Sequence, residues 1–335
     1  LLTADDIFQI RGQKEFDKAA LKVFRYQHAN NKVYRQFCDL LNTDITTVKT
    51  VDSIPFLPIQ FFKSHDVVTG NDQVKEIFTS SGTTSLTADP AGAPLRSRHL
   101  VTDLNFYERS SRQAFSQFYG NITDYAVLAL LPSYLERDGS SLIYMVADMI
   151  DKSENPDSGF YLNDYNALIQ KLLLLQESGT NVLLIGVTYA LLDLVEMQQF
   201  KLNNTIVMET GGMKGRRKEM IRDELHQILR NGFGVNAIHS EYGMTELLSQ
   251  AYSLGEGIFE CPPWMQILVR DPEDALTYVA GGKTGGINVI DLANINSCSF
   301  IATQDLGKLH STNSFEILGR FDNSDIRGCN LMYEF

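Results

Sequence analysis

Val235-Asn236-Ala237-Ile238-His239-Ser240-Glu241-Tyr242-Gly243-Met244-Thr245-Glu246 passes from apolar to polar at its middle. Val235, Ala237 and Ile238 read as a buried strand, and the small and polar residues after them as a backbone turn at its carboxyl end. In an α/β sheet that is the end where ligands bind. From Tyr242 to Glu246 an aromatic ring, Gly243, the Thr245 hydroxyl and a carboxylate fall within five residues. That set suits stacking on a flat base, close backbone approach, contact with a phosphate oxygen and retention of a divalent cation. It also fits an ordinary strand-to-helix turn with Thr245 as N-cap. Its partners elsewhere in the chain decide between the two.

Upstream, strands and helices alternate. Residues 125–131 read as a buried strand stopped by Pro132, and 140–150 and 164–176 as helices, the second closed by Gly179. Strand 182–187, helix 189–200 and strand 205–209 follow. Residues 216–230 read as an amphipathic helix with Met220, Ile221, Leu225, Ile228 and Leu229 on one face, ending at Gly232. Strands separated by helices imply right-handed crossovers and a mainly parallel sheet. Loops 132–139, 187–189, 210–215 and 240–246 then line one edge. Residues 1–50 read as helical from apolar positions such as Phe16, Ala19, Ala20, Val23 and Phe24, and 54–62 as an irregular segment broken by Pro55 and Pro58. After Gly255 come β runs with glycine turns at 264–270, 286–290, 298–303 and 315–318. The expected class is α/β: a core over 1–254, a smaller antiparallel β subdomain over 255–318 and a tail over 319–335.

Four further stretches carry chemistry. Ile77-Phe78-Thr79-Ser80-Ser81-Gly82-Thr83-Thr84-Ser85 is a β-prone run opening into hydroxyls around one glycine. Such a loop wraps phosphate oxygens, although a small polar surface turn has the same composition. It is not a Walker loop, and Gly282-Lys283-Thr284 does not complete one because Thr277 stands where the first glycine is required. Glu209-Thr210-Gly211-Gly212-Met213-Lys214-Gly215 puts two glycines before a helix, where the backbone can approach a flat ligand or an anion; a plain flexible turn is the alternative. Thr303-Gln304-Asp305 sets a carboxylate at a strand end, suited to the vicinal hydroxyls of a ribose or simply to a turn. Gly319-Arg320-Phe321-Asp322 adds a guanidinium, and Arg327-Gly328-Cys329 a thiol beside a glycine and a cation.

The bulk properties narrow the partners. The 335 residues are 44% apolar and 21% charged, an ordinary globular mix long enough for a large core. Forty-one acidic against 29 basic residues leave a net charge of −12, which argues against a nucleic-acid or anionic-membrane surface. No apolar run suits membrane insertion. Leu1-Leu2-Thr3-Ala4 carries no signal-peptide pattern and reads as a trimmed start. Cys38, Cys261, Cys298 and Cys329 are scattered without a CxxC pair, which fits a reducing cytoplasm better than a disulfide or zinc framework.

Taken in order, the hydroxyl loop, the glycine pair, Tyr-Gly-x-Thr-Glu, Thr-x-Asp and Gly-Arg-x-Asp resemble the adenylate-forming, acyl/aryl-CoA ligase-like enzymes. A closer resemblance is to the LuxE-type acyl-protein synthetases. It is carried by Pro58-Ile59-Gln60-Phe61-Phe62-Lys63-Ser64-His65, by Leu131-Pro132-Ser133-Tyr134-Leu135-Glu136-Arg137 with Ser140-Ser141-Leu142, by 209–215 and by 239–250. The resemblance implies ATP- and Mg²⁺-dependent activation of a carboxylic acid, a fatty acid above all, as an acyl-AMP. It implies that Ser80, Ser81, Gly82, Thr83 and Thr84 close over the β- and γ-phosphates. Gly211 and Gly212 would lie along the adenine, Tyr242 stack on it with Gly243 beside it, Thr245 meet the α-phosphate and Glu246 hold Mg²⁺. Asp305 and Arg320 would bind the ribose, Lys214 add positive charge, and Cys329 accept the acyl group for an acyl reductase partner. Two departures stand out. The sequence runs only a little beyond Asp322, which leads to the expectation that the mobile C-terminal domain of larger members and its lysine are absent, and Thr83-Thr84-Ser85-Leu86 lacks their usual glycine and lysine. A CoA ligase and a non-catalytic nucleotide-binding subunit of a reductase complex are the alternative readings, and self-association is left open.

Overall fold

A strand buried on both faces has no reason to alternate, and Val182-Leu183-Leu184-Ile185-Gly186-Val187 does not: all six positions are buried. The computed structural model describes residues 2–81, 96–132, 139–162, 164–211 and 220–321. Three helices open the chain, α1 (Ala4–Phe8), α2 (Gln13–Asn30) and α3 (Lys32–Leu40), followed by a short strand β1 (Leu57–Pro58) and helix α4 (Phe61–Ser64). Strands β2 (Glu76–Thr79) and β3 (Arg98–Val101) form an antiparallel pair of their own. Then come α5 (Leu104–Tyr119), β4 (Ala126–Leu130), α6 (Ser141–Ser153), β5 (Gly159–Phe160), α7 (Tyr165–Ser178), β6 (Val182–Val187), α8 (Thr188–Met197), β7 (Thr205–Thr210), α9 (Arg222–Phe233) and β8 (His239–Tyr242). Six strands close the described chain: β9 (Ala251–Ser253), β10 (Ile258–Glu260), β11 (Met265–Arg270), β12 (Gly285–Asp291), β13 (Phe300–Leu309) and β14 (Ser314–Arg320).

Apart from β2 and β3, these strands form one sheet in the order β11-β12-β13-β14-β10-β9-β8-β7-β6-β4-β5, with β1 parallel beside β13. From β5 to β8 the neighbours are parallel, as crossover helices require, and from β8 through β9 to β11 they are antiparallel. The β runs expected after Gly255 therefore continue the ladder of the parallel half, and the change of direction falls between Tyr242 and Ala251. The last ladder pairs Leu130↔Gly186, Val187↔Thr210 and Thr210↔Glu241 bring the carboxyl ends of β4, β6, β7 and β8 to one edge.

Three local expectations are corrected. Polar His239–Tyr242 is itself the strand, and 243–246 forms a turn with no helix after it, which removes the N-cap reading of Thr245. Helix α9 runs to Phe233, and its left-handed cap is Gly234 (φ 68°), not Gly232. Gly232 lies within the last turn because a Cβ there would overlap Val195 of α8, so the glycine lets the two helices close together. Of the apolar face expected for α9, Leu225 and Leu229 are buried, whereas Ile221 precedes the helix and is exposed.

The N-terminal helices are pinned to the far end of the chain. Gln27 on α2 donates to the carbonyls of Asn294 (2.9 Å) and Ile295 (3.1 Å) and accepts from the Ser299 N–H (3.0 Å). Phe24, Tyr34 and Phe56 surround Phe300. Among the described residues no helix is long and apolar enough to cross a membrane.

Candidate active site

Tyr242 ends β8 with its ring among Phe259 of β10 and Phe315 of β14. The Tyr242 hydroxyl donates to Asp305 Oδ2 at 2.8 Å. Arg320 Nε donates to Asp305 Oδ1 at 2.9 Å, and Asp305 and Arg320 face each other across β13 and β14. Asp305 is buried, while the Arg320 side chain remains 61% exposed. The carboxylate expected at a strand end lies instead inside β13, whose pairing runs on to Leu309, and with the guanidinium and the aromatic ring picked out in sequence it forms one connected group, with Arg320 on its open side.

Thr245 and Glu246 follow in the turn after Gly243. Glu246 is buried, and burial raises its carboxyl above the ordinary carboxylate range, with a hydrogen bond from Ser97 working the other way. Nearby Arg320 also favours its charge and nearby Asp305 opposes it, so the turn lies within electrostatic reach of the Tyr242 group. Ser97 also secures the hydroxyl loop. Its N–H donates to Ser80 Oγ (3.0 Å), and its carbonyl accepts from the Ser80 N–H (3.1 Å). Two residues on, buried His99 contacts the Thr245 carbonyl through Nδ1 at 2.9 Å and Ser297 Oγ through Nε2 at 2.8 Å. Burial pushes the His99 ring down to about 4, so at neutral pH it is uncharged. Its Nδ1–H then donates to the carbonyl and Nε2 accepts the serine proton. Strand β3 thus ties the root of the hydroxyl loop to the turn bearing Thr245 and Glu246.

Gly211 lies at the end of β7, exposed and with φ 66°, and its carbonyl accepts from Thr188 Oγ1 at 2.7 Å. Beneath it, buried Glu209 accepts from Ser240 Oγ (2.8 Å), with Thr188 Oγ1 at 3.1 Å and His226 Nε2 at 3.6 Å. Ser81 is the last described residue before the rest of the hydroxyl loop. Gly82, Thr83, Thr84, Gly212, Lys214 and Cys329 lie outside the described residues, so what is assembled here is Ser80, Gly211, Tyr242, Gly243, Thr245, Glu246, Asp305 and Arg320. Cys38, Cys261 and Cys298 are buried, and burial raises each thiol pKa, to about 12 at Cys38, which suits packing better than nucleophilic work. Ser97, His99, Glu209 and Glu241 were not singled out by sequence. The one available signal was at Glu209 and Glu241, carboxylates one residue short of the ends of their strands.

The fold has solved counterparts. A 2-hydroxyisobutyryl-CoA ligase in the postadenylation state, in complex with 2-HIB-AMP, matches 92% of this chain and 68% of its own at a TM-score of 0.66 and 12% identity. ATP-bound MatB from Rhodopseudomonas palustris matches 75% of this chain at a TM-score of 0.55 and 18% identity, and the chain covers 49% of that protein's length. The fold is that of the adenylate-forming ligases. The acyl-protein synthetase family LuxE matches residues 6–108 and 146–334, and the chain belongs to that family of ligases. A long-chain-fatty-acid–luciferin-component ligase of Vibrio harveyi is 24% identical over 354 aligned positions, covering 97% of this chain and 89% of that protein. A ligase of the same name from Photorhabdus luminescens is 33% identical over 70 positions, 21% of this chain and 60% of that protein.

Proposed function

We propose that this chain uses ATP to activate a carboxylic acid, a fatty acid before others, as an acyl-AMP. The observation that carries the reading is the joined group of Tyr242, Asp305 and Arg320, set within electrostatic reach of Glu246. Asp305 accepts the ribose hydroxyls, with Arg320 beside it. Tyr242 and the Gly211–Gly212 pair flank the adenine, and the loop from Ser80 to Thr84 covers the outer phosphates. Thr245 meets the α-phosphate. A carboxylate oxygen of the acid attacks the α-phosphorus, the bond to the bridging oxygen of pyrophosphate breaks, and pyrophosphate leaves. Such a step needs charge neutralisation and alignment more than a base. Glu246 offers one carboxylate for Mg²⁺, which suits an ion that takes most of its other ligands from phosphates and water. When bound, the ion would offset phosphate charge, and Lys214 would add to it.

In a second step the Cys329 thiolate attacks the acyl carbonyl, AMP leaves, and the resulting thioester keeps the acyl group reactive toward an acyl reductase partner. The LuxE family and the named fatty-acid ligases support this reading over a non-catalytic nucleotide-binding role. With labelled fatty acid and ATP, the wild-type protein acquires a hydroxylamine-labile adduct, while Cys329→Ser loses the adduct and keeps ATP–pyrophosphate exchange. An adduct that survives the substitution, or acyl-CoA release indifferent to it, would transfer the acceptor role to another group or to coenzyme A.

A further inference from the structure

Successive strand residues face opposite sides of a sheet, so Glu241 looks away from the Tyr242–Asp305 side. Its Oε2 accepts from Thr210 Oγ1 at 2.6 Å, and its Oε1 occupies the space a Cβ on Gly243 would need. It is partly open to solvent at the strand end, between Gly211 and Gly243, both exposed. The groups acting on it come from three elements. On β7, Glu209 adds a like charge and Thr210 a hydrogen bond. On β9, Tyr252 stands opposite in register, its buried hydroxyl without a partner among the described residues. On α5, Tyr107 gives its hydroxyl to the Ser141 carbonyl at 2.7 Å and feels the Glu241 charge. The Gln250 side-chain carbonyl, whose chain packs beside Gly243, is a second buried atom without a partner among the described residues.

We propose that Glu241 is a further binding-site residue for the acid, binding of the anionic substrate being coupled to uptake of one proton by Glu241. The proposal rests on the reading above, in which the acid's carboxylate must reach the phosphorus beside Thr245. The Glu241 carboxylate lies against Gly243, two residues before that threonine. Two carboxylates brought to one poorly hydrated edge repel, and the repulsion ends when one of them is neutral. Poor hydration already pushes Glu241 up to about 7, against the Thr210 bond and with help from Glu209, so a proton is available to it near neutral pH. Glu209 is unsuited to the role. Although burial raises it, nearby His226, the bond from Ser240 and nearby Arg222 prevail and hold it below the ordinary range.

The test is the pH dependence of the apparent KM for dodecanoate in ATP–pyrophosphate exchange. In the wild type KM rises roughly tenfold between about pH 5.5 and 8.5, through an inflection near 7. Glu241→Gln removes the inflection and holds KM at its low-pH value. Thr210→Val deletes the bond that favours the charged form and moves the inflection to higher pH. Titration of dodecanoate itself is common to all three proteins and drops out of the comparison. An inflection retained in Glu241→Gln, or unmoved in Thr210→Val, overturns the proposal. Calorimetry of dodecanoate binding in two buffers of different ionisation enthalpy gives a reading that needs neither a variant nor turnover: net proton uptake supports the proposal, and none refutes it. Absence of exchange with any acid counts instead against the adenylation reading.

Discussion

Asp305 has two oxygens and two protein donors, one on each. In the proposed reading ribose hydroxyls share those oxygens, and the carboxylate, rather than the tyrosine hydroxyl, carries the binding. Asp305→Ala removes a charged acceptor, an interaction worth about 1.5–3 kcal/mol. The KM for ATP in pyrophosphate exchange then rises roughly 10- to 150-fold. Tyr242→Phe keeps the ring against Phe259 and Phe315 and loses one bond of about 1 kcal/mol, so its effect stays within roughly tenfold. A Phe variant as impaired as Asp305→Ala would shift the role to the hydroxyl. Asp305, Arg320 and Tyr242 were readable because each sits in a short motif, Arg320 and Tyr242 at strand ends and Asp305 within β13. Ser97 and His99 were not. The turn they brace lies far along the chain, Thr245 being 146 residues from His99, and no local pattern distinguishes a serine and a histidine that brace a turn from two on a surface.

Regular elements were legible where burial imposed a period. β6 was bounded to the residue, and α7 closes on Gly179 as read. β8 was displaced because His239-Ser240-Glu241-Tyr242 alternates in burial while being polar throughout but for its ring, so its apolar neighbours drew the assignment. The close of α9 was misplaced because two glycines stand two residues apart, one serving packing and one the left-handed cap. Gly307 shows the same constraint in a strand. It lies at the irregularity between β13 and β14, where a Cβ would collide with the Glu316 carbonyl oxygen and Ile287. Backbone cannot swing aside as a side chain can, so Gly307→Ala costs about 1–3 kcal/mol, read as a lower urea midpoint. Since Asp305 and Arg320 flank that irregularity, affinity for ATP falls along with stability. An unchanged midpoint would show that the strand pair is looser than drawn.

At the scale of the molecule, Asp291 joins segments distant in sequence. It accepts from the N–H groups of Leu248 (3.0 Å), Ser249 (2.9 Å) and Ala293 (3.0 Å) and from Ser249 Oγ (2.6 Å). Asp291→Asn turns one of its oxygens into a donor facing donors. The expected loss is about 2–4 kcal/mol, visible as a drop in Tm, with exchange preserved below the new transition. Single-sheet continuity was not legible, because antiparallel partners carry no mark of whether they extend an existing ladder or begin another. β1 carries that further: Leu57 and Pro58 pair with Ile301 and Ala302, beside helices pinned to 294–300. At about 5–20 residues per second, roughly 10–50 s of synthesis separate the two partners. Throughout that interval the nascent N-terminal third has an uncovered greasy flank on the ribosome, so this chain leans on early chaperone shelter, and premature stops short of β13 yield sticky fragments rather than small stable ones.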